Sequence, residues 1–256
     1  MRNVRAKKYL GQHFLTDKKI ANNIVDLLHS DANLVVEVGP GMGILTSYLL
    51  KKDVDLKLVE IDEESILYLK ENYPNTINKI KNMDFLKLDL RKEYKQKFSL
   101  IGNFPYNISS QILFKVWENC NQINEVIGML QKEVAERVVA KKGKKRGIIS
   151  VLIETFYDSE YCFTVSEDVF NPKPKVKSAV IKLKRNQRKK LDCNLVLFKN
   201  LIKLSFNQRR KTLRNALKSF SLENELRSTN LLQKRAEELS VEEFIHITKI
   251  CQKKQK

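Results

Sequence analysis

Three residues with complementary chemistry, Asn103, Pro105 and Tyr106, directly follow the mostly apolar segment at residues 98–101. A side-chain carbonyl on Asn103 and a backbone carbonyl near Pro105 can accept the two N–H groups of an aromatic amine such as that of adenine. Such an amine is a poor nucleophile, because its lone pair is delocalised into the ring, and two acceptors would aim that lone pair at an electrophile. The ring of Tyr106 can hold the base by its face, a contact worth ~1–3 kcal/mol. The alternative interpretation is an ordinary turn after a strand, since Asn and Pro are frequent in turns.

A second candidate site is the glycine-rich segment at residues 37–43, which joins a predicted strand to a predicted helix. Its glycines are spaced G-x-G-x-G, and Ile44 stands where a dinucleotide fingerprint requires the third glycine. Further along, Glu60 can accept both hydroxyls of a ribose, and Asp84 can accept from an adenine amine. This combination predicts a site for S-adenosylmethionine, which carries no phosphate. A solvated strand end for Glu60 and a turn aspartate for Asp84 are the alternatives.

The elements that must position these residues follow from alternating apolar and polar segments. Strands are predicted at residues 34–38, 56–61, 79–86, 99–103, 125–130 and 178–184, and helices at residues 18–29, 44–51, 63–72, 110–119 and 133–140. Residues 148–157 are rich in β-branched side chains and are predicted to pair with residues 178–184 as an antiparallel end of the sheet. Strands that alternate with helices predict an α/β fold with a mainly parallel sheet.

The composition changes near residues 186–190, and beyond them the pattern is helical only. Residues 195–206 carry apolar side chains at helical spacing, and residues 240–243 form a capping box before a last helix. We therefore expect a larger domain over residues 1–188 and a small helical domain over residues 189–256. A short basic loop at residues 141–147 is expected to be mobile and is a further candidate for RNA contact.

The chain of 256 residues carries a net charge of +18, which predicts an anionic partner. Residues 182–256 alone hold 20 Lys and Arg against 7 Asp and Glu, an excess of 13 positive charges. A nucleic acid is favoured over a membrane surface, while solubility or a biased genome composition is the alternative explanation.

The cysteines and histidines set limits on the chemistry. The four cysteines are widely spaced, which predicts reduced thiols in a cytoplasmic protein, and the three histidines have no metal-ligand spacing. We therefore expect no metal. No apolar run of about 18 residues is present, so no membrane span is expected, and the N-terminus lacks the apolar core of a signal peptide.

With these residues in place, the chain resembles the ribosomal RNA adenine N6-dimethyltransferase family. The match runs from about Tyr9 to Lys218. Its segments are residues 11–15, 37–43, 59–62, 84–85, 103–110, 131–137, 170–176 and 206–213. The resemblance implies a class I, Rossmann-like methyltransferase that uses S-adenosylmethionine, with a seven-stranded sheet and a small all-α C-terminal domain.

The resemblance also implies a role for each matched residue on the cofactor side. His13 and Leu15 would cover the cofactor from the N-terminal segment, although the family commonly has Asn at the position of His13. Gly39 and Gly41 would contact its methionine end. Glu60 would hold its ribose.

Asp84 would read the cofactor adenine. On the side of the target base, Asn103 would bridge the cofactor and the target amine beside Pro105. Tyr106 would stack on the target base. Phe170 would close the other face of that base, with core packing as the alternative.

Two branches of the family differ in their target. Pro40, Phe104 and residues 208–211 resemble the branch that dimethylates two adjacent adenosines in a hairpin near the 3′ end of 16S ribosomal RNA. The branch that acts on large-subunit RNA usually has Ser where Pro40 stands. Three alternatives stay open: that large-subunit activity, a non-catalytic RNA-binding assembly factor, and a DNA adenine methyltransferase. We expect a monomer.

The RNA itself would be held by basic residues of the C-terminal part. Arg209, Arg210, Lys211 and Arg214 are predicted to lie along one helix and to grip phosphates without reading sequence. A solvated helix face is the alternative.

Overall fold

The main sheet of the protein contains seven strands. The computed structural model describes residues 4–220, 222, 226 and 229–254. The strands, numbered in chain order, are β1 (Phe14–Leu15), β2 (Leu34–Val38), β3 (Asp55–Glu60), β4 (Ile80–Asn82), β5 (Phe98–Asn103), β6 (Ile123–Gln131), β7 (Tyr157–Val165), β8 (Phe170–Asn171) and β9 (Ser178–Arg185). The main sheet has the order β4-β3-β2-β5-β6-β9-β7. Neighbouring strands from β4 to β6 pair in parallel, and β9 pairs antiparallel with β6.

The parallel strands β2 and β5 are buried along nearly their whole length, as expected for strands in the interior of the sheet. All five residues of β2 and the first five residues of β5 are buried. Strands that are covered on both faces form continuous apolar runs rather than alternating patterns. The prediction of an α/β fold with a mainly parallel seven-stranded sheet is confirmed.

Helices follow most of the strands. Those of the described residues are α1 (Lys18–Val25), α2 (Thr46–Leu49), α3 (Glu63–Asn72), α4 (Leu90–Glu93), α5 (Ser109–Glu118), α6 (Lys132–Val139), α7 (Ile148–Phe156), α8 (Leu195–Asn207), α9 (Leu213–Ala216) and α10 (Val241–Lys254). Asp17 begins α1 by accepting the N–H of Ile20 at 2.9 Å. The predicted capping box of α10 is confirmed, since the Ser240 N–H donates to Glu243 at 2.8 Å and the Glu243 N–H donates to Ser240 Oγ at 3.1 Å.

The prediction of a strand at residues 148–157 is wrong, because this segment forms α7. Seven of the nine residues of α7 are buried, so its apolar residues surround the helix and leave no helical period in the sequence. The Gly147 N–H donates to Ser150 Oγ at 2.8 Å, and Ser150 Oγ donates to the Arg137 carbonyl at 2.5 Å, which fixes the first turn. The strand beside β9 is instead β7.

The prediction that the four basic residues lie along one helix is also wrong. Helix α8 ends before them at Asn207, residues 209–211 belong to the turn that follows, and only Arg214 lies on α9. The Arg209 guanidinium donates to Glu237 from both Nε and Nη2, at 2.9 and 2.6 Å. This contact joins the turn to a residue 28 positions further along the chain, which local helical propensity does not encode.

A second, two-stranded sheet holds the N-terminal segment, and the sequence pattern contains no signal for it. Strands β1 and β8 pair antiparallel, with Phe14 opposite Asn171 and Leu15 opposite Phe170. Strands of two residues are too short to show an alternating pattern.

The described residues group into two compact units. One takes in the residues up to 135 together with residues 158–185, and the other takes in residues 136–157 and the residues from 186 onward. The sequence-based division at residue 188 differs from these units in residues 136–157 and 186–188, and the two domains themselves stay a prediction. Among the helices of the described residues, none combines the length and apolar composition that crossing a bilayer requires.

Candidate active site

A cavity of about 250 Å³ lies at the carboxyl ends of the parallel strands of the first unit. Strands β2, β3 and β5 end at the same edge of the sheet, since they pair in parallel. This edge is where open α/β sheets bind ligands. The predicted site residues that line the cavity are His13, Gly39, Gly41, Glu60, Asp84, Asn103, Pro105 and Tyr106.

The glycine turn after β2 forms one wall of the cavity and depends on left-handed backbone conformations. Gly39 has φ 66° and Gly41 has φ 55°, values that side chains with a Cβ rarely adopt. A Cβ on Gly39 would meet nothing nearer than Pro105, at 3.9 Å, so it would project into open space. A Cβ on Gly41 would come within 2.9 Å of the Phe14 ring. The turn therefore keeps a concave surface that any larger residue at position 39 would fill.

The Glu60 carboxylate is buried at the end of β3 and is held by three backbone donors. Oε2 accepts the Gly41 N–H at 3.0 Å, and Oε1 accepts the N–H groups of Ile61 and Asp62 at 2.8 and 2.9 Å. Burial raises the pKa of Glu60, and these hydrogen bonds oppose that rise. A carboxylate has about four acceptor positions, so with three of them taken Glu60 keeps about one for a hydroxyl group of a ligand in the cavity.

A second buried acid, Glu37, lies in β2 and is not among the residues that line the cavity. Its carboxylate accepts from Thr46 Oγ1 at 2.7 Å, and burial raises its pKa to about 8. Glu37 is therefore protonated near neutral pH, and its hydrogen bond with Thr46 connects β2 to α2 within the core.

This raised pKa predicts a pH dependence of stability. Between the ordinary pKa of 4.5 and the raised value of about 8, the folded chain keeps a proton on Glu37 that the unfolded chain has released. The free energy of unfolding therefore falls as pH rises through this window, by up to ~1.4 kcal/mol per pH unit. Guanidinium unfolding at pH 5, 6.5 and 8 should show this loss in the wild type and a smaller one in Glu37→Gln. Equal losses of unfolding free energy in both proteins would contradict Glu37 as the source of the pH dependence.

Asp84 lies in the loop after β4, where it is half-buried, and lines the cavity. Its Oδ1 accepts the Leu86 N–H at 2.8 Å. The same loop is held by Lys115 of α5, whose Nζ donates to the carbonyls of Leu86 and Leu88 at 2.8 and 2.5 Å and lies 5.4 Å from the centre of the Phe85 ring. The sequence analysis does not identify Lys115, because nothing near it in the chain resembles a site.

Asn103 ends β5 and connects the strand to the N-terminal segment. Its Nδ2 donates to the His13 carbonyl at 2.8 Å, which leaves Oδ1 as the acceptor that can serve a ligand. His13 Nδ1 in turn donates to the Pro172 carbonyl at 2.7 Å. The ring of His13 lies 5.2 Å from that of Tyr106, between centroids.

The two residues after Phe104 form a turn beside Asn103. The Pro105 carbonyl accepts the Ile108 N–H at 3.1 Å, so the Phe104 carbonyl is the better candidate for a second acceptor. Tyr106 is half-buried, and its hydroxyl is hydrogen bonded with Ser178 Oγ. Burial raises the pKa of Tyr106, so its ring stays neutral and its position is fixed at the hydroxyl end.

The N-terminal segment is held over the cavity by polar contacts that the sequence analysis does not anticipate. Lys7 forms an ion pair with Asp62, and Gln12 Nε2 donates to Asp62 Oδ2 at 3.1 Å. Burial alone would raise the pKa of Asp62, but these hydrogen bonds and one from Ser65 hold it below its ordinary value. The segment places Tyr9 and the residues up to Phe14 along the cavity.

Two predicted site residues, Leu15 and Phe170, are not among the residues that line the cavity. Both are buried in the core and lie opposite each other in the two-stranded sheet. Their predicted contacts with cofactor and target base stay predictions.

The four predicted RNA-binding residues lie in the second unit, where all are exposed. Arg209 forms an ion pair with Glu237 at 2.6 Å. The described residues provide no carboxylate partner for Arg210, Lys211 or Arg214.

Comparison with known proteins gives consistent similarities over the whole chain. A family model described as ribosomal RNA adenine dimethylase matches residues 3–253. A protein of Cytophaga hutchinsonii named ribosomal RNA small subunit methyltransferase A is 56% identical over 252 residues, which cover 97% of this chain and 98% of that protein. A protein of the same name from Parabacteroides distasonis is 54% identical over 256 residues, with 99% and 96% covered.

Solved structures share the fold. A dimethyladenosine transferase from Plasmodium falciparum has a TM-score of 0.79 and 24% identity, covering 95% of this chain and 98% of that chain. The 23S rRNA methyltransferase ErmE has a TM-score of 0.69 and 22% identity, with 93% and 99% covered. The architecture is thus that of the Rossmann-like methyltransferases. Within that class, the chain belongs to the ribosomal RNA adenine dimethylase family, as its sequence motifs predict.

Proposed function

We propose that this protein transfers methyl groups from S-adenosylmethionine to N6 of two adjacent adenosines in a hairpin near the 3′ end of 16S ribosomal RNA, during assembly of the small subunit in the cytoplasm. The observation that carries the proposal is the position of Asn103, which lies beside the same cavity as Glu60 and Asp84. The relatives are named small subunit methyltransferases, which favours the small over the large subunit as the target.

The chemistry of the cavity fits S-adenosylmethionine. Glu60 and Asp84 supply carboxylate acceptors for a ribose hydroxyl and an adenine amine, and Gly39 leaves a concave space that a Cβ would fill. No lysine or arginine is among the described residues that line the cavity, so a pyrophosphate would find two carboxylates and no cation there. His13 and Leu15 are proposed to cover the cofactor from the N-terminal segment. The bound cofactor supplies a methyl group on a positively charged sulfur, which an amine can attack.

The first task of the protein is to align the target amine. Asn103 Oδ1 and the Phe104 carbonyl, beside Pro105, accept its two N–H groups, which draws the lone pair out of conjugation with the ring. Because Nδ2 of Asn103 is held by the His13 carbonyl at 2.8 Å, Oδ1 is presented in a fixed orientation. Positioning of this kind can supply a large part of a rate enhancement.

The second task is to hold the target base outside its helix. Tyr106 offers a half-buried ring that is anchored at its hydroxyl and braced by His13. A base that stacks on this ring has left its own stack, as enzymes that modify bases require. Phe170 is proposed to approach the opposite face of that base. The proton that the amine loses after methylation can pass to water, so no strong base is required.

The proposal is tested by incubating the protein with labelled cofactor and unmethylated small ribosomal subunits. Mass spectrometry of the RNA should find two adjacent adenosines near the 3′ end, each with two added methyl groups. No label in any adenosine would refute an enzymatic role and favour the assembly factor. Label confined to large-subunit RNA or to duplex DNA would favour the corresponding alternative.

The contacts of Lys115 predict a specific loss of cofactor affinity in a variant. Lys115→Met keeps the apolar stem but removes two hydrogen bonds, each worth about 0.5–1.5 kcal/mol, that hold the loop carrying Asp84. The Kd for S-adenosylhomocysteine, measured by calorimetry, should rise about tenfold, with kcat nearly unchanged at saturating cofactor. Lys87→Met, an exposed residue of the same loop, is the matched control. Equal Kd values in Lys115→Met and Lys87→Met would show that Lys115 does not position the loop carrying Asp84.

A further inference from the structure

The basic loop at residues 141–145 and the turn at residues 208–212 are joined by one side chain within the second unit. Arg209 Nη2 donates to the Lys144 carbonyl at 2.6 Å, while the same guanidinium is paired with Glu237. The loop is thus fixed beside the turn, although the two are more than sixty residues apart in the chain.

The other end of the loop is fixed by a buried arginine. The side chain of Arg146 is fully buried, and its Nη1 donates to Glu154 at 2.5 Å and to the Ala140 carbonyl at 3.2 Å. Its Nη2 donates to the Leu239 carbonyl at 3.2 Å. A loop held at both ends presents its remaining side chains in a defined place.

The carboxylates around the loop are already occupied. Glu154 pairs with Arg146, Glu136 pairs with Lys145 at 2.7 Å, and Glu237 pairs with Arg209. The described residues offer no carboxylate to a set of five exposed cations on the loop, the turn and α9. These are Lys142, Lys144, Arg210, Lys211 and Arg214.

We infer that these five residues form one composite surface that binds the phosphate backbone of the RNA substrate, and that Arg209 positions the surface rather than contacting phosphate. Uncompensated cations on the loop, on the turn fixed beside it and on α9 directly after the turn repel one another and are stabilised by a polyanion. The five side chains are all cations, with no aromatic ring among them that could stack on a base, so the surface supplies position and affinity rather than sequence preference. The inference rests on the proposed function for the identity of the RNA, and it adds the loop to the contact.

The test measures how binding to unmethylated small ribosomal subunits depends on KCl concentration. Lys142→Ala with Lys144→Ala should weaken binding and lower the slope of log K against log salt by ~1.4–1.8, since each phosphate contact contributes ~0.7–0.9. The matched control is Lys95→Ala with Lys97→Ala, which removes the same charge from exposed residues just before β5, at the sheet edge opposite the cavity. A loop variant with the same Kd and slope as this control would overturn the inference.

A double-mutant cycle tests the role of Arg209. If Arg209 acts by placing the loop, Arg209→Ala should weaken binding in the wild type and have little further effect when Lys142 and Lys144 are already alanine. Additive effects would make Arg209 a phosphate ligand of its own and overturn its positioning role. Thermal unfolding of each variant establishes that it is folded.

These experiments distinguish a wrong assignment of the RNA-binding surface from a wrong proposed function. Subunits that bind with the expected slopes but receive no label would refute the methyltransferase and leave the surface in place. Subunits that are methylated while the loop variant and its control bind alike would refute the surface alone.

Discussion

Replacing Asn103 with alanine is expected to lower kcat about 100- to 1,000-fold while cofactor and RNA still bind, because one preorganised polar group at a reacting centre is typically worth that much. The variant removes Oδ1, the acceptor proposed to draw the lone pair of the target amine out of conjugation. Single-turnover methylation of small subunits measures the chemical step, and calorimetry with S-adenosylhomocysteine measures cofactor binding. The two readings should separate, because the chemical step falls far more than cofactor affinity, which declines only as far as loss of the His13 contact loosens the N-terminal segment.

The chain offers a matched control for this variant. Asn107 lies in the same motif and also ties down the N-terminal segment, since its Nδ2 donates to the Tyr9 carbonyl at 3.0 Å. Asn107→Ala therefore loosens the segment as Asn103→Ala does, but it leaves both proposed acceptors in place. We expect it to change the KM for cofactor more than kcat. If Asn103→Ala kept a kcat close to that of the wild type, or if both variants lost the same kcat, amine alignment by Asn103 would be wrong.

The cavity could be located from the sequence because its walls come from strand ends. Gly39, Glu60 and Asn103 each stand at or just after the end of an apolar run, and parallel pairing brings such positions to one edge. These candidate site residues can therefore be recognised from sequence segments of only a few residues.

The parts that sequence reasoning missed depend on contacts between distant segments. The hydrogen bond of Asn103 to His13 joins residues 90 positions apart, and that of Lys115 to Leu86 joins residues 29 apart. No local period or spacing encodes such pairs. Helix α7 was missed for a related reason, since a helix buried on all sides loses the amphipathic pattern that would identify it. The position of Arg209 could not be predicted from the sequence either, because its ion pair with Glu237 joins distant segments of the chain.

The second large effect is expected at Glu60, where alanine should raise the Kd for S-adenosylhomocysteine about 10- to 100-fold. A hydrogen bond to a charged group contributes about 1.5–3 kcal/mol, and the carboxylate is proposed to accept a ribose hydroxyl at its remaining acceptor position. It also accepts the Gly41 N–H at 3.0 Å, so its loss would free the glycine turn as well. Isothermal titration calorimetry measures the change directly.

Two comparisons separate the ribose contact from the support of the turn. Glu60→Gln keeps the size and one oxygen of the side chain, but both oxygens of Glu60 accept backbone N–H groups, so the NH2 group must face a backbone donor in either orientation. This variant should bind cofactor less well than the wild type and better than Glu60→Ala. Asp55→Ala, at the opposite end of β3 where Asp55 pairs with Lys57 at 3.0 Å, removes a carboxylate from the same strand and should bind as the wild type does. A Glu60→Ala protein with the affinity of Asp55→Ala would show that the ribose is held elsewhere, and the assignment of this cavity to the cofactor would fail with it.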